Sequence, residues 1–251
     1  MTPRREALLK SGVLALSGFM LYAKISSGTL AFYINKRFEW LVFAGALIYI
    51  ALALTLIYRA LTAQRATTST VPVVVTQRSS ATSWLGAGLL LLPALIGFFA
   101  PARPLGASAI ASRGIGLQSA PASVGNITTL QRAPSGPRTI LDWLREISRS
   151  GDPKTLAGNQ VDVVGFVYKN DPRFKPNQFM VSRFTISCCV ADAAALGLIV
   201  ETDALDRFKQ DQWVRVVGRF KVGAFAEDTV PMIVAEKIEP TEEPAQPYLY
   251  P

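Results

Sequence analysis

Two long stretches without a charged residue constrain this 251-residue chain more than any other feature of its sequence. The first covers residues 40–58, with Trp40 and Tyr58 at its ends, and the second covers 81–100. A helix of about 20 apolar residues spans the hydrocarbon core of a bilayer, because it satisfies its own backbone polar groups. Both stretches therefore predict membrane-spanning helices, and Pro93 is expected to kink the second rather than break it.

A third apolar segment, at 7–23, contains Lys10, whose ammonium group must reach the headgroup region if the segment spans. The alternative is a secretory signal peptide with an Arg-Arg pair as its charged end. The absence of a small-residue cleavage site after the apolar run favours an uncleaved span. The sequence thus predicts about three spans in a transmembrane domain over 1–101, in a multi-pass protein of the cell membrane.

Charge divides the chain into two different halves. Residues 1–135 hold 12 Lys and Arg but only two acids, a net +10, whereas residues 136–251 carry −2. With three spans, six basic residues near the span ends share the N-terminal side and five lie on the other side. Because basic residues mark the cytoplasmic side, the C-terminal half is predicted to be extracytoplasmic. Lipid headgroups, not nucleic acid, are the expected partner of these basic residues.

Composition changes after the last predicted span. Residues 102–137 contain no acid and are rich in Gly, Ser, Ala and Pro, which predicts a flexible linker. From Thr139 the pattern predicts a short amphipathic helix, and five β-type runs follow it, at 161–168, 178–189, 196–201, 213–221 and 230–238.

Five short strands, with Gly165 and Gly218 at bend positions, favour a small all-β barrel of the oligonucleotide/oligosaccharide-binding (OB) type. The predicted architecture is therefore a membrane protein with an OB-like domain and its leading helix at 138–240. The acidic, Pro-rich end at 241–251 predicts a tail that is disordered or loosely docked.

The absence of histidine limits the chemistry of this chain, because it excludes imidazole catalysis and His-ligated metals. No nucleophile paired with a base is recognisable, so the protein is predicted not to be an enzyme. No sequence feature identifies a cofactor.

Cys188, Cys189 and Asp192 would together suit a soft or borderline metal ion. Neighbours on a regular strand point to opposite faces, so both sulfurs reach one ion only if the strand ends or bulges there. Asp192 itself suits the cap of a following turn or helix. The alternatives are a core Cys188 with an exposed or half-buried Cys189, or a redox role for the pair.

Two other residues on the predicted strands could bind a ligand. Arg183, at an outward position, could hold a carboxylate or phosphate, or it could be solvated or ion-paired across strands. Trp213 could stack on bases, but the acidic soluble half favours a packing role and no nucleic-acid partner.

Several of these runs resemble a known family. The segments SGTLAFYINKRFEW, VDVVGFVYKN, FMVSRFTISCCVADAAALGLIVE and QWVRVVGRF are similar to the YcgQ-like family of predicted permease subunits. The resemblance covers most of the chain except the linker and the tail, and RFTISCCVADA is its most specific part. The residues that match the family pattern are Gly165, Arg183, Cys188, Cys189, Asp192, Gly197, Trp213 and Gly218.

The resemblance implies N-terminal spans, a C-terminal barrel-like domain and a multi-span permease as partner. The chain is therefore predicted to be a membrane-anchored accessory subunit of a transport system, with a ligand- or partner-binding domain. The alternative is a metal- or metalloid-binding membrane protein that uses Cys188 and Cys189.

Overall fold

The apolar segments near the N-terminus form long helices. The computed structural model describes residues 3–62, 80–113, 115–116, 137–226 and 228–251. Its first three helices are α1 (Pro3–Ser26), α2 (Glu39–Thr62) and α3 (Ser80–Phe99). They belong to one compact unit, the helical unit, made of Met1–Ala31 and Lys36–Arg103.

Two segments among the described residues are long and apolar enough to cross a membrane, Arg5–Ser26 and Lys36–Thr62. Large apolar side chains on their helices, such as Ile48 and Leu54, are exposed, as lipid-facing residues are. These features support association with a membrane. Helix α3 is present where the sequence predicts one and continues through Pro93; that it crosses the membrane stays a prediction.

Small residues line the contact between α1 and α2. Their spacing is seven residues on each helix, which returns to the same helix face after two turns. A Cβ atom on Gly18 would lie 3.3 Å from side-chain atoms of Tyr49 and Ile50. Because small residues let two helices approach closely, this seam holds the hairpin together. Its buried members are Ser11 and Gly18 on α1 and Ala46, Ala53 and Ala60 on α2.

Replacing Gly18 by leucine is expected to lower the free energy of unfolding of the helical unit by about 1–3 kcal/mol, because the added atoms overpack the seam. Titration of the detergent-solubilised protein with sodium dodecyl sulfate, followed by circular dichroism, measures the loss. Gly12→Leu is the matched control, because a Cβ atom at Gly12 meets nothing within 4 Å. Equal losses in the two variants would contradict a small-residue seam.

The second compact unit, the sheet unit, consists of Phe32–Asn35 and Pro104–Pro251. Its elements are α4 (Ala107–Arg113), β1 (Ile115–Gly116), α5 (Ile140–Ser150), β2 (Gln160–Tyr168), β3 (Gln178–Thr185), β4 (Ala194–Glu201), β5 (Trp213–Phe225) and β6 (Asp228–Pro240). The strands follow the order β1-β4-β3-β2-β5-β6, and β4 also pairs with β6. Neighbouring strands are antiparallel, except that β4 runs parallel to β1 and β6. The five predicted β-type runs are therefore confirmed as strands β2 to β6, with shifted ends.

Helix α5 covers one side of the sheet. It begins after Thr139, whose side chain forms a capping box with Asp142, and ends at Gly151, which has a φ of 69°. The apolar residues predicted on one side of the helix are all buried, namely Ile140, Leu141, Trp143, Leu144 and Ile147. Amphipathic spacing alone therefore places α5 against the core.

Three glycines allow close approach between strands. A Cβ atom on Gly165 would lie 2.6 Å from the Ser182 carbonyl oxygen, and one on Gly218 would overlap the carbonyl of Val234. The pairing of β5 with β6 also shifts register beside Gly218, which is the bend predicted there. A Cβ atom on Gly197 would overlap only a side chain, that of Met180.

Part of the linker is more ordered than predicted, and the end of the tail is docked. Part of the 102–137 segment forms α4 and β1, while residues 117–136 lie outside the described part of the chain. Of the two expectations for 241–251, docking fits its apolar end, because Tyr248 and Leu249 are 3% and 7% exposed. Acids and prolines dominate the start of the tail, but its apolar end packs against the sheet.

Candidate functional site at the cysteine turn

Strand β3 is shorter than predicted, and this places both cysteines in a turn. The strand ends at Thr185, and a short 3-10 helix follows at Val190–Asp192. We call residues 186–192 the cysteine turn. The Sγ atoms of Cys188 and Cys189 are 3.7 Å apart, so the opposite-face argument for strands does not apply to them. Cys188 is exposed, so it is not a core residue, and Cys189 is half-buried.

The carboxylate of Asp192 holds the turn together. Its Oδ1 accepts a hydrogen bond from the Ser187 N–H at 3.1 Å, and its Oδ2 accepts one from the Cys188 N–H at 2.8 Å. Partial burial opposes ionisation, but the hydrogen bonds from these groups outweigh it and lower the pKa of Asp192 below its ordinary value. Asp192 therefore stabilises the turn that precedes it and does not cap a following helix.

The thiol of Cys188 is held in its protonated form. A hydrogen bond to Asp192 is the main cause that raises the pKa of Cys188 to about 11, and the neighbouring Cys189 acts in the same direction. Because this pKa is raised from 9.0, the protonated thiol stabilises the folded turn fully below pH 9.0. This contribution to stability is lost as the pH rises through about 11. Cys188 is thus a weak nucleophile at neutral pH.

The two sulfurs alone suit a shared ion, but the predicted three-ligand group is not assembled. Within the described ranges, no group of three or more Cys, Asp and Glu residues could hold a metal ion. Both oxygens of Asp192 already accept backbone N–H groups. Zn–S bonds of about 2.3 Å at a tetrahedral centre separate two sulfurs by roughly 3.8 Å. The separation of 3.7 Å between the sulfurs of Cys188 and Cys189 matches this distance, but any further ligands would have to come from elsewhere.

A segment between α1 and α2 pairs with the cysteine turn. We call this segment, Phe32–Asn35, the interhelix loop. The Asn35 N–H donates to the Cys188 carbonyl at 2.9 Å, and the Val190 N–H donates to the Tyr33 carbonyl at 2.9 Å. The Asn35 side-chain amide also donates to the Ser187 carbonyl at 2.9 Å. Both cysteines therefore lie in a backbone ladder with residues that precede them by more than 150 positions.

Tyr248 joins the same cluster from the C-terminal tail. Its hydroxyl group donates to the Phe32 carbonyl at 3.2 Å and accepts from the Leu105 N–H at 2.9 Å. The next residue, Leu249, pairs with the end of β3 through its own N–H and carbonyl groups. Three segments that are distant in sequence thus meet beside the cysteine turn.

Arg183 holds the tail rather than an external anion in this structure. Its guanidinium group donates to the Pro247 carbonyl at 3.1 Å and to the Gln246 carbonyl, and its centre lies 5.7 Å from the Trp213 ring. Burial lowers the pKa of Arg183 to about 10. Trp213 packs edge-on against Phe166, with ring centroids 5.8 Å apart, which is a packing role.

Replacing Arg183 by methionine is expected to release the tail, because the carbonyls of Gln246 and Pro247 lose a charged donor. Hydrogen exchange at the Leu249 amide should become about tenfold faster, as expected for a loss of about 1.5 kcal/mol. Arg219→Met serves as the control, because Arg219 on β5 pairs with the exposed Glu236 of β6 and not with the tail. If Leu249 exchanges at the same rate in both variants, Arg183 does not hold the tail.

The contacts of the interhelix loop and of the tail were not predicted from the sequence. Their only local signal is a short aromatic and aliphatic run, FYI in the loop and YLY in the tail. Each run is too short to predict a strand. Contacts between residues so far apart in sequence produce no periodic pattern of apolar residues.

Comparison with known proteins identifies the family. Residues 9–116 match the DUF1980 N-terminal domain, and residues 138–251 match the DUF1980 C-terminal domain. The chain is also similar to the UPF0703 protein YcgQ of Bacillus subtilis (strain 168), with 29% identity over 100 residues. That alignment covers 39% of this chain and 35% of YcgQ, so the match spans about a third of the relative's length. The N-terminal match covers α2, α3 and all but the first residues of α1, and the C-terminal match covers α5 and strands β2 to β6. The chain belongs to this family, the YcgQ-like family that its motifs resemble.

Proposed function

We propose that this protein is a non-enzymatic, membrane-anchored accessory subunit of a transport system. Its helices contact a multi-span permease, and the sheet unit binds a ligand or a partner protein. The observation that supports this most is the place of the interhelix loop, Phe32–Asn35, inside the sheet unit. A loop between two spans that is built into a binding domain links binding directly to the membrane helices.

Three spans are supported by the same loop. If only α1 and α2 crossed the membrane, the loop between them and the sheet unit would lie on opposite sides. The backbone bridge between Ile34 and Cys189 requires a shared side, which a crossing by α3 provides. Within the helical unit, Gly97 of α3 lies against Met20 of α1, which fits a three-helix bundle.

A closed barrel of the OB type is supported by the strand pairings. Strand β2 pairs with β3 and β5, β3 pairs with β4, and β6 pairs with both β4 and β5. The five strands therefore return to their starting point, which removes free edges. The irregularity at Gly218 supplies the local bend that a small barrel needs.

The sheet unit is proposed to lie outside the cytoplasm. The distribution of Lys and Arg around three spans supports this orientation. With a net charge of −2 over 136–251, its expected partners are the permease and a ligand, not nucleic acid.

Copurification and transport test this function together. A tagged full-length chain, solubilised in mild detergent, is expected to copurify with a multi-span permease. Removal of residues 104–251 should preserve copurification through the helices but abolish support of transport. The proposal fails if the full chain purifies alone and the permease transports normally in its absence.

Metal or metalloid binding is the second candidate, and the 3.7 Å separation of the two sulfurs favours it. Calorimetry of the full-length protein in detergent with zinc, copper(I) and arsenite tests this role. Binding should occur at one equivalent and disappear in the Cys188→Ser, Cys189→Ser double variant. No binding, or equal binding by the double variant, would exclude it.

A further inference from the structure

We propose that Cys188 and Cys189 form a reversible disulfide, and that its formation detaches the interhelix loop from the cysteine turn. This redox role goes beyond the proposed transport function and does not depend on it. The proposal rests on the distance between the two sulfurs and on the backbone hydrogen bonds that the same two residues make with the loop.

The sulfurs are close enough to react without a change of fold. Their Sγ atoms lie 3.7 Å apart. Cys188 is exposed and Cys189 is half-buried, so a small disulfide or an oxidoreductase can reach the pair. Both residues follow the end of β3, so their side chains are free of the strand geometry that separates neighbours.

Formation of a disulfide between adjacent cysteines must distort the peptide group that joins them. Adjacent Cα atoms lie about 3.8 Å apart across a trans peptide, whereas ordinary disulfides join Cα atoms roughly 4.4–6.8 Å apart. The 188–189 backbone therefore has to rotate when the S–S bond forms. Such a strained bond is more easily reduced than a structural disulfide, which makes the change reversible.

The peptide that must rotate is the one that holds the interhelix loop. Its carbonyl group, from Cys188, accepts the Asn35 N–H at 2.9 Å. Ile34 forms a backbone bridge with Cys189, and the Val190 N–H donates to the Tyr33 carbonyl. Because these contacts share one ladder, rotation at 188–189 breaks them together.

Thiol–disulfide exchange supplies the chemistry, with an external disulfide as the oxidant. Because Asp192 keeps Cys188 protonated, Cys189 attacks first, and the external disulfide releases one thiolate that takes up the Cys189 proton. The Cys188 sulfur then attacks the Cys189 sulfur of the mixed disulfide. The second external thiolate leaves and takes up the Cys188 proton, which passes through Asp192. Two thiols are oxidised, and one disulfide is reduced to two thiols.

Redox titration of the full-length protein in detergent tests the first step. Oxidised glutathione should remove two hydrogens from the monomer, as measured by intact mass spectrometry, and dithiothreitol should restore them. Cys188→Ser should instead retain glutathione as a mixed disulfide on Cys189, because no second thiol can displace it. The proposal is overturned if oxidation yields only covalent dimers, or if Cys188→Ser takes up no glutathione.

Hydrogen exchange of the same samples tests the detachment. Oxidation should accelerate exchange at the Asn35 and Val190 amides at least tenfold, while the Leu249 amide, which donates to Phe184 of β3, stays unchanged. The Cys188→Ser, Cys189→Ser double variant is the control and should show no response to the oxidant. An intramolecular disulfide with unchanged exchange at Asn35 and Val190 would refute the coupling to the loop.

Discussion

Replacing Gly218 by alanine is expected to lower the free energy of unfolding of the sheet unit by about 3 kcal/mol, one of the largest effects of any single substitution here. The added Cβ atom would overlap the Val234 carbonyl oxygen and lie 3.1 Å from the Ala235 Cα atom. These atoms belong to the backbone of the paired strand β6, which cannot move aside without breaking the ladder. The bulge beside Gly218 would have to rearrange.

Gly223→Ala on the same strand is the matched comparison. Its Cβ atom would meet the side chain of Met232, which can adopt another rotamer, so a smaller loss of less than about 1.5 kcal/mol is expected. Urea unfolding of the detergent-solubilised chain, followed by tryptophan fluorescence, measures both variants. A Gly218 variant as stable as the Gly223 variant would contradict the close approach of β5 and β6.

Replacing Asp192 by asparagine is expected to make Cys188 much more reactive. The Asp192 carboxylate is the largest cause of the raised pKa of Cys188, which stands near 11 against an ordinary 9.0. Because the thiolate is the nucleophile and Asp192 causes only part of the shift, removal of the charge should increase alkylation at pH 8 by about tenfold. Iodoacetamide labelling in a Cys189→Ser background, followed by mass spectrometry, gives the rate for Cys188 alone.

Asp203→Asn is the control for this measurement, because Asp203 is an exposed carboxylate outside the cysteine turn. Its alkylation rate should equal that of the Cys189→Ser background. If Asp192→Asn leaves the rate unchanged as well, the carboxylate does not govern the thiol. In that case the role assigned to Asp192 in the turn would be wrong.

Local patterns predicted the elements of this fold well. The apolar face of α5 and the alternation in the five strands depend on neighbouring residues, so they are visible in the sequence. The irregularity at Gly218 and the close approach at Gly165 were also predictable, because glycine within a strand marks a bulge or a close approach. Both positions meet backbone atoms of a neighbouring strand.

The end of β3 was not predictable from alternation. The run continues in sequence through Ser187 to Cys189, but the ladder stops at Thr185. Two hydrogen bonds from backbone N–H groups to Asp192 replace the strand pairing. A competing side-chain acceptor of this kind leaves no sign in hydrophobic periodicity.

The composition of the cysteine turn's surroundings could not be predicted either. Asn35 and Ser187 are 152 residues apart, and Tyr248 contacts Phe32 across 216 residues. Contacts of this range depend on the complete fold. Averaged composition also concealed the tail, because the acids and prolines of 239–247 mask the apolar residues that follow.

The cysteine turn connects parts of the chain that are distant in sequence. The residues of this turn bond to the interhelix loop and to the C-terminal tail. Tyr248 of the tail in turn bonds to Phe32 of the loop and to Leu105 after α3. A change at Cys188 and Cys189 would therefore reach the connection between α1 and α2 directly. This link is the physical basis of the proposed accessory role.

The most direct test is to determine which side of the membrane the α1–α2 connection and the cysteine turn face. Single cysteines at Ser27→Cys in the α1–α2 connection, at native Cys188, and at Thr67→Cys between α2 and α3 would be labelled with an impermeant thiol reagent. The remaining native cysteines are replaced by serine, and intact spheroplasts are compared with lysed cells. The account predicts that positions 27 and 188 react in intact spheroplasts and that position 67 reacts only after lysis. Labelling of positions 27 and 188 from opposite sides, or of both only after lysis, would contradict it.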